Sequence, residues 1–288
     1  MKTTTRRILA MLMLCVLLFG LVATAVPAKA AKKEPWEDNI LAKDTFEIFK
    51  MDLTRIESVT FLDTLKDAPA TVWYMGRWAN SNVQAWFTWE NRIGQVYIAA
   101  EGGINGKNAA KGLFEGMTNL KEINFNGAFH TEQAETMERM FYGCENLEKL
   151  DVSTLDTSNV TNMRDMFRGC KRLEELDVSS FDTSNVTMMA TMFSGCTNLE
   201  KLDLNTFDTS SLKNIGYMFS GCTNLEEVKL NKWDTSKVDY MEATFMGCDS
   251  LKDVDLKGWN VDKVKFYSNF MNRNGLVNGK QWMAFFVG

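Results

Sequence analysis

The chain has 288 residues, 45% of them hydrophobic, with 32 Lys or Arg, 37 Asp or Glu and a single His. This composition predicts a globular protein with a substantial core and excludes a disordered or collagen-like chain. The net charge is −5, and it becomes −9 once the predicted signal peptide described below is removed; an acidic chain of this kind disfavours nucleic acid and anionic membrane surfaces as partners.

Residues 1–30 have the features of a secretory signal peptide. Basic residues near the start precede the apolar run 8–26, and Ala28 and Ala30 supply the small residues of a cleavage site. A retained membrane anchor is the alternative, but the run is short for a spanning helix. We therefore predict an exported chain, extracellular or associated with the cell surface, with no membrane insertion after the signal is removed. Cleavage would leave 28 basic and 37 acidic residues, a net charge of −9.

A 26-residue repeat organises the rest of the chain. Gly-Cys pairs recur at this step, and so do apolar positions such as those starting at Phe141, Leu147 and Leu150. A unit of this length cannot bury its own apolar face, so the columns predict a stacked solenoid. Within each unit, Leu-x-x-Leu-Asp-Val/Leu alternates like a short strand, whereas Met163-x-x-Met166-Phe167 has the spacing of a helical turn. The predicted fold class is α/β: a leucine-rich-repeat solenoid with short parallel strands and terminal caps.

The repeat also divides the chain into segments. We expect a signal peptide at 1–30, a Trp-rich N-terminal cap at 31–112, leucine-rich repeats at 113–271 and a C-terminal cap at 272–288. Caps are expected because the first and last units would otherwise expose apolar faces.

The repeat motif carries a family resemblance. The pattern Phe-Asp-Thr-Ser-x-Val-Thr-x-Met-x-x-Met-Phe-x-Gly-Cys-x-x-Leu-x-x-Leu-Asp-Leu, clearest at 181–204, resembles the BspA-like leucine-rich repeat surface proteins. The flanking segments 58–63 and 96–103 are also similar to the sequence that precedes the repeats in that family. The resemblance implies an extracellular bacterial protein with an adhesion or host-binding role and no catalytic residues.

Five cysteines follow the predicted signal peptide, and all lie at one repeat position. Stacked side chains at equivalent positions point in parallel, whereas a disulfide needs a near-perpendicular twist. A ladder of buried thiols is therefore favoured over disulfides, and zinc is disfavoured because close ligand pairs are missing. The ladder comprises Cys144, Cys170, Cys196, Cys222 and Cys248.

Other residues with metal-binding chemistry also recur with the repeat. The methionine columns could offer Cu(I) ligands, but their replacement by other residues in some units favours core filling. The Asp-Thr-Ser motif could bind Ca²⁺, but turn capping explains it without a metal. We therefore predict no metal, no cofactor and no enzymatic activity.

The exposed side of the predicted strands is the favoured binding face. One of its columns contains three consecutive aspartates, Asp151, Asp177 and Asp203. Like charges on adjacent strands repel each other, and the sequence offers no folding benefit in return. These residues are therefore predicted to centre a site for a protein or glycan ligand outside the cell. The alternatives are a structural spacer without a ligand, or a glycan-binding cap that uses Trp86 and nearby aromatic residues.

Overall fold

The computed structural model describes residues 53–66, 68, 73–74, 83–90, 93–107 and 109–287. The predicted signal peptide and the first part of the predicted cap lie outside these residues. Within them, no helix combines the length and apolar character needed to cross a membrane.

The described residues form short strands and almost no helix. A 3-10 turn at Leu53–Arg55 is followed by twelve strands and one terminal helix. The strands are β1 Ile56–Leu62, β2 Trp73–Tyr74, β3 Gln84–Glu90, β4 Ile93–Ala99, β5 Ile104–Asn105, β6 Glu122–Asn124, β7 Phe129–His130, β8 Lys201–Asp203, β9 Glu227–Lys229, β10 Asp253–Val254, β11 Leu276–Val277 and β12 Lys280–Gln281; the helix is α1 Trp282–Val287.

The largest sheet joins the N-terminal segment to the repeats. Its strand order is β2-β3-β4-β1-β6, with β1 parallel to both β4 and β6. The pairing of Val59 with Ile123 places β1 beside the first predicted repeat strand. Further along, β8 pairs in parallel with β9, and β10 pairs with β11 of a terminal hairpin. The repeated sheets are compatible with a repeat fold.

Consecutive units are also joined through the Met-x-x-Met-Phe segment. Alternate N–H groups from Met163 to Gly169 donate to carbonyls 25 positions later, over 2.8–3.1 Å, and neighbouring units repeat this pattern. Isolated parallel bridges join residues 26 positions apart: Thr136 with Asn162, Asn162 with Met188, Met188 with Asn214, Asn214 with Tyr240, and Tyr240 with Phe266.

The helical component of the predicted α/β class is wrong for these units. The segment predicted as a helical turn makes successive tight turns instead. The Met166 N–H donates to the Met163 carbonyl over 3.3 Å, and the N–H groups of Arg168 and Cys170 likewise donate to carbonyls three residues earlier. It does not continue as a helix because alternate N–H groups bond to the next unit. Asp165 within the turn also has a φ of 56°, which ends any right-handed helix.

Stacked aromatic rings fill the centre of the repeats. Six phenylalanines lie face to face, with ring centroids 5.2–5.7 Å apart and planes within 7° of parallel. They are Phe114, Phe141, Phe167, Phe193, Phe219 and Phe245. A second column ends in Trp233 and Trp259, whose indole N–H groups donate to carbonyls of the preceding unit. The methionines at 137, 163, 189 and 241 are completely buried, which fits a core-filling role.

Each unit contains two positions in the left-handed backbone region. The Gly of the Gly-Cys pair has φ near 75°, and a Cβ on Gly247 would lie 3.3 Å from the Cα of Gly221 in the preceding unit. Four residues earlier, a non-glycine residue occupies the same region, including Thr191 at 59°. This conformation is unfavourable for a β-branched residue, so the tight turn is formed at a local energetic cost.

Candidate functional site

The predicted binding face lies on the outer side of the short strands. In β8 and β9, the central Leu202 and Val228 are buried while the flanking residues are exposed. The same alternation exposes Asp151, Asp177 and Asp203. The structure therefore brings the three aspartates to one solvent-facing column.

These aspartates also have a folding role. Asp151 and Asp177 each accept the backbone N–H two residues later over 2.9 Å, and Asp203 accepts the N–H of Asn205 over 3.1 Å. Such bonds close the turn that ends each strand. The expectation that this column has no folding benefit is wrong, because hydrogen bonds with the main chain are invisible in the charge pattern.

The carboxylates remain ionised because hydrogen bonds stabilise them. Bonds from Ser153 lower the pKa of Asp151, against smaller opposing effects of burial and the charge of Asp177. Bonds from Ser179 lower the pKa of Asp177. The pKa of Asp203 is lowered first by the N–H of Asn205 and then by Lys229, whose Nζ lies 3.0 Å from its carboxylate.

The acidic face is wider than the predicted column. In five successive units, the exposed residues at positions equivalent to 148, 149 and 151, up to residue 255, include eleven acidic and four basic residues, a net charge of 4 − 11 = −7. A second acidic column, Glu148, Glu174, Glu200 and Glu226, lies three residues before the aspartate position of each unit. Sequence reasoning missed it, although the Leu-x-x-Leu motif places a glutamate at its second position in all four units. A shallow depression of about 400 Å³ near Glu226, Asp253 and Asp255 lies on this face.

The five cysteines occupy the interior. All are buried and free, and each thiol donates to a phenylalanine carbonyl of a preceding unit over 3.1–3.2 Å. Burial raises the pKa of these thiols, so they remain protonated at neutral pH. The arrangement suits structural bonding and provides no exposed nucleophile in this column.

The Asp-Thr-Ser motif is used to connect units. The buried Thr157 and Thr183 hydroxyls each donate over 2.9 Å to the carbonyl of the aspartate in the next unit. Asp156 accepts both the N–H and the hydroxyl of Ser158. These contacts account for the motif through capping, and no metal-holding group of three His, Cys, Asp or Glu residues occurs in the described part of the chain.

The proposed aromatic surface of the cap is only partly described. Trp86 is 9% exposed and stacks on Tyr97 with a centroid distance of 5.5 Å. Its ring therefore presents little free surface for a sugar. Trp78 lies outside the described residues, as do the side chains of Trp73, Tyr74, Phe87 and Trp89.

Together these features define a repeat protein of short strands, with an apolar interior and an acidic outer face. The chain belongs to the family described as "Mycoplasma protein of unknown function, DUF285", whose model matches residues 108–227 and 195–281. Searches of the curated proteins and of the solved structures gave no significant match.

Proposed function

We propose that this chain is an exported, BspA-like leucine-rich-repeat protein that binds an extracellular protein partner through its acidic strand face. In this proposal, residues 31–112 and 272–288 cap a solenoid of 26-residue units at 113–271. The DUF285 match, the 26-residue step of the bridges and the signal-like residues 1–30 support the proposal. The role is binding rather than catalysis.

The net charge of −7 on one exposed face is the observation that carries this function. A surface with a large net negative charge attracts a positively charged partner and raises the rate of association. Turn bonds hold the carboxylates of Asp151 and Asp177 in place before any partner arrives. Fixed carboxylates lose little conformational entropy on binding, which favours a partner that presents Lys or Arg side chains.

The first experiment is a pull-down with the full chain against matrix proteins, mucin and bacterial wall glycans, followed by titration of any captured partner. The double substitution Asp177→Asn and Asp203→Asn should weaken that association and reduce its salt dependence. Asparagine can still accept the turn N–H through its side-chain oxygen, and the relief of repulsion offsets the loss of the exposed Asp203–Lys229 ion pair, so thermal stability should stay close to that of the wild type.

The matched control changes Asp182 and Asp208 to Asn. These residues also cap turns through their carboxylates, five positions further along each unit, and the substitution removes the same charge. Equal loss of binding in the two double variants would contradict a site centred on the strand face. Absence of any saturable partner would favour the spacer alternative.

A further inference from the structure

A second surface departs from the repeat pattern in the last units. Lys213 and Lys265 occupy the position of Thr161 and Thr187 in earlier units. Those threonine hydroxyls donate to carbonyls of the preceding unit over 3.2 and 3.3 Å. The lysines therefore replace side chains that help to join the units.

The neighbouring position changes in the same way. Lys237 and Lys263 stand where Asn159 and Asn185 stand earlier. Each asparagine amide donates to a carbonyl of the preceding unit, over 2.7 and 2.8 Å. Four substitutions thus exchange structural hydrogen bonds for exposed ammonium groups, which points to a role other than folding.

These four lysines line one groove. It has a volume of about 640 Å³, and its charged lining consists of the four lysines with Asp239 and Asp262, a net charge of 4 − 2 = +2. Asp239 lies 3.6 Å from the ammonium of Lys265. The strand face carries a net charge of −7, whereas this groove is positively charged. The groove can therefore attract a negatively charged ligand.

Two aromatic residues are chain neighbours of residues that line the groove. Tyr240 and Phe266 directly follow Asp239 and Lys265 in the chain, and their rings lie 5.1 Å apart. Phe266 is 53% exposed. In two earlier units the equivalent residues, Asn162 and Asn214, cap turns by accepting an N–H, whereas a third unit has Met188. The last two units thus carry a ring where two earlier units carry a capping side chain.

The ring of Tyr240 is held in place. Its hydroxyl donates to Glu242, and its edge lies so close to Gly216 that a Cβ there would approach the ring to 2.5 Å. Glycine at position 216 is therefore needed to leave room for the ring of Tyr240. A fixed ring beside an exposed one provides an amphipathic stacking surface at low entropic cost.

We propose that this groove and the Tyr240–Phe266 pair bind an anionic glycan, whose acid groups contact the lysines and whose sugar rings pack on the aromatic faces. This site lies beyond the acidic strand face of the proposed function. Asp239 and Asp262 can accept hydrogen bonds from the free hydroxyls of a glycan, which the sugar–phosphate backbone of DNA lacks along its length.

Binding of the full chain to four probes tests the proposal: hyaluronan with carboxylates only, dextran sulfate with sulfates only, neutral dextran, and oligothymidylate. We expect saturable binding to one or both anionic glycans, none to dextran, and at least tenfold weaker binding to oligothymidylate. The probe that binds more tightly, hyaluronan or dextran sulfate, shows whether the site prefers carboxylate or sulfate groups. Oligothymidylate binding as tight as the better glycan would overturn the proposal.

Variants locate the site. The double change Lys237→Gln and Lys263→Gln should weaken binding at least tenfold, while the double change to Arg should stay within about threefold. The matched control Lys149→Gln and Lys201→Gln removes two exposed lysines from the strand face and should change affinity less than twofold.

Phe266→Ala tests the stacking component. It should weaken binding at least fivefold without altering the salt dependence, because it removes no charge. Equal losses in the groove and control variants, or unchanged affinity in Phe266→Ala, would refute the site. Thermal melting of each variant separates loss of binding from loss of fold.

Discussion

Replacing Cys196 by Asp tests the arrangement of the repeat interior. The Cys196 side chain is completely buried, and its thiol donates to the Phe167 carbonyl over 3.1 Å. An ionised aspartate there would face a carbonyl oxygen that cannot donate a hydrogen bond. Burial of this kind raises a carboxyl pKa by roughly 3–5 units. At about 1.36 kcal/mol per unit, and with roughly 3 units between the unfolded pKa of about 3.9 and pH 7, the loss at pH 7 is about 4 kcal/mol, a large part of the roughly 5–15 kcal/mol by which many domains are stable.

Urea unfolding of Cys196→Asp between pH 4 and pH 7 measures this loss. The pKa in the folded state lies above the unfolded value of about 3.9, so the folded state favours the neutral acid. Destabilisation should therefore be smallest near pH 4 and should grow as the pH rises towards the raised pKa. Cys196→Ser retains a donor and should lose only about 1–2 kcal/mol.

Thr206→Asp introduces the same charge at an exposed position of the same repeat and should change stability by less than about 0.5 kcal/mol. An unfolding free energy of Cys196→Asp equal to that of the wild type at pH 7 would refute the buried thiol ladder.

Four further predictions concern individual side chains of the repeats. Thr183→Val should lower the unfolding free energy, measured by urea titration, by about 1–3 kcal/mol, because it leaves the Asp208 carbonyl without its hydroxyl donor. The control Thr206→Val should leave the unfolding free energy nearly unchanged. Alkylation in denaturant without reductant should label all five repeat cysteines, and native protein should label slowly; two or fewer labelled in denaturant would contradict a free-thiol column. Thr191→Gly should raise the melting temperature by relieving its positive φ, since glycine has no Cβ penalty there, and a lower value would count against strain. The pKa values of Asp151, Asp182 and Asp234 are lowered by hydrogen bonds from serines, so their stabilisation should be complete above about pH 4 and be lost as pH falls through the lowered folded values; NMR titration should show these carboxyls protonating below the usual range.

Much of the fold could be read from the 26-residue step. Apolar residues at one repeat position have to share an interior, and the structure buries such columns, including Phe141 to Phe245 and Leu147 to Leu251. The alternation of Leu-x-x-Leu-Asp likewise indicates which residues face solvent. Spacing alone does not show which main-chain groups bond. The Met-x-x-Met-Phe spacing therefore predicts a helical turn, whereas the structure forms tight turns bonded to the next unit.

The binding surfaces depended on the tertiary structure to different degrees. The sequence by itself placed Asp151, Asp177 and Asp203 in one column, because residues 26 positions apart occupy equivalent places. Only the structure revealed that their carboxylates bond to backbone N–H groups. Similarly, nothing in the linear sequence distinguishes Lys237 and Tyr240. The structure shows that Lys237 lines the groove and that the ring of Tyr240 occupies space left by the missing side chain of Gly216. Periodicity determines which residues share a column, whereas hydrogen bonds and close approaches between units decide what each column can do.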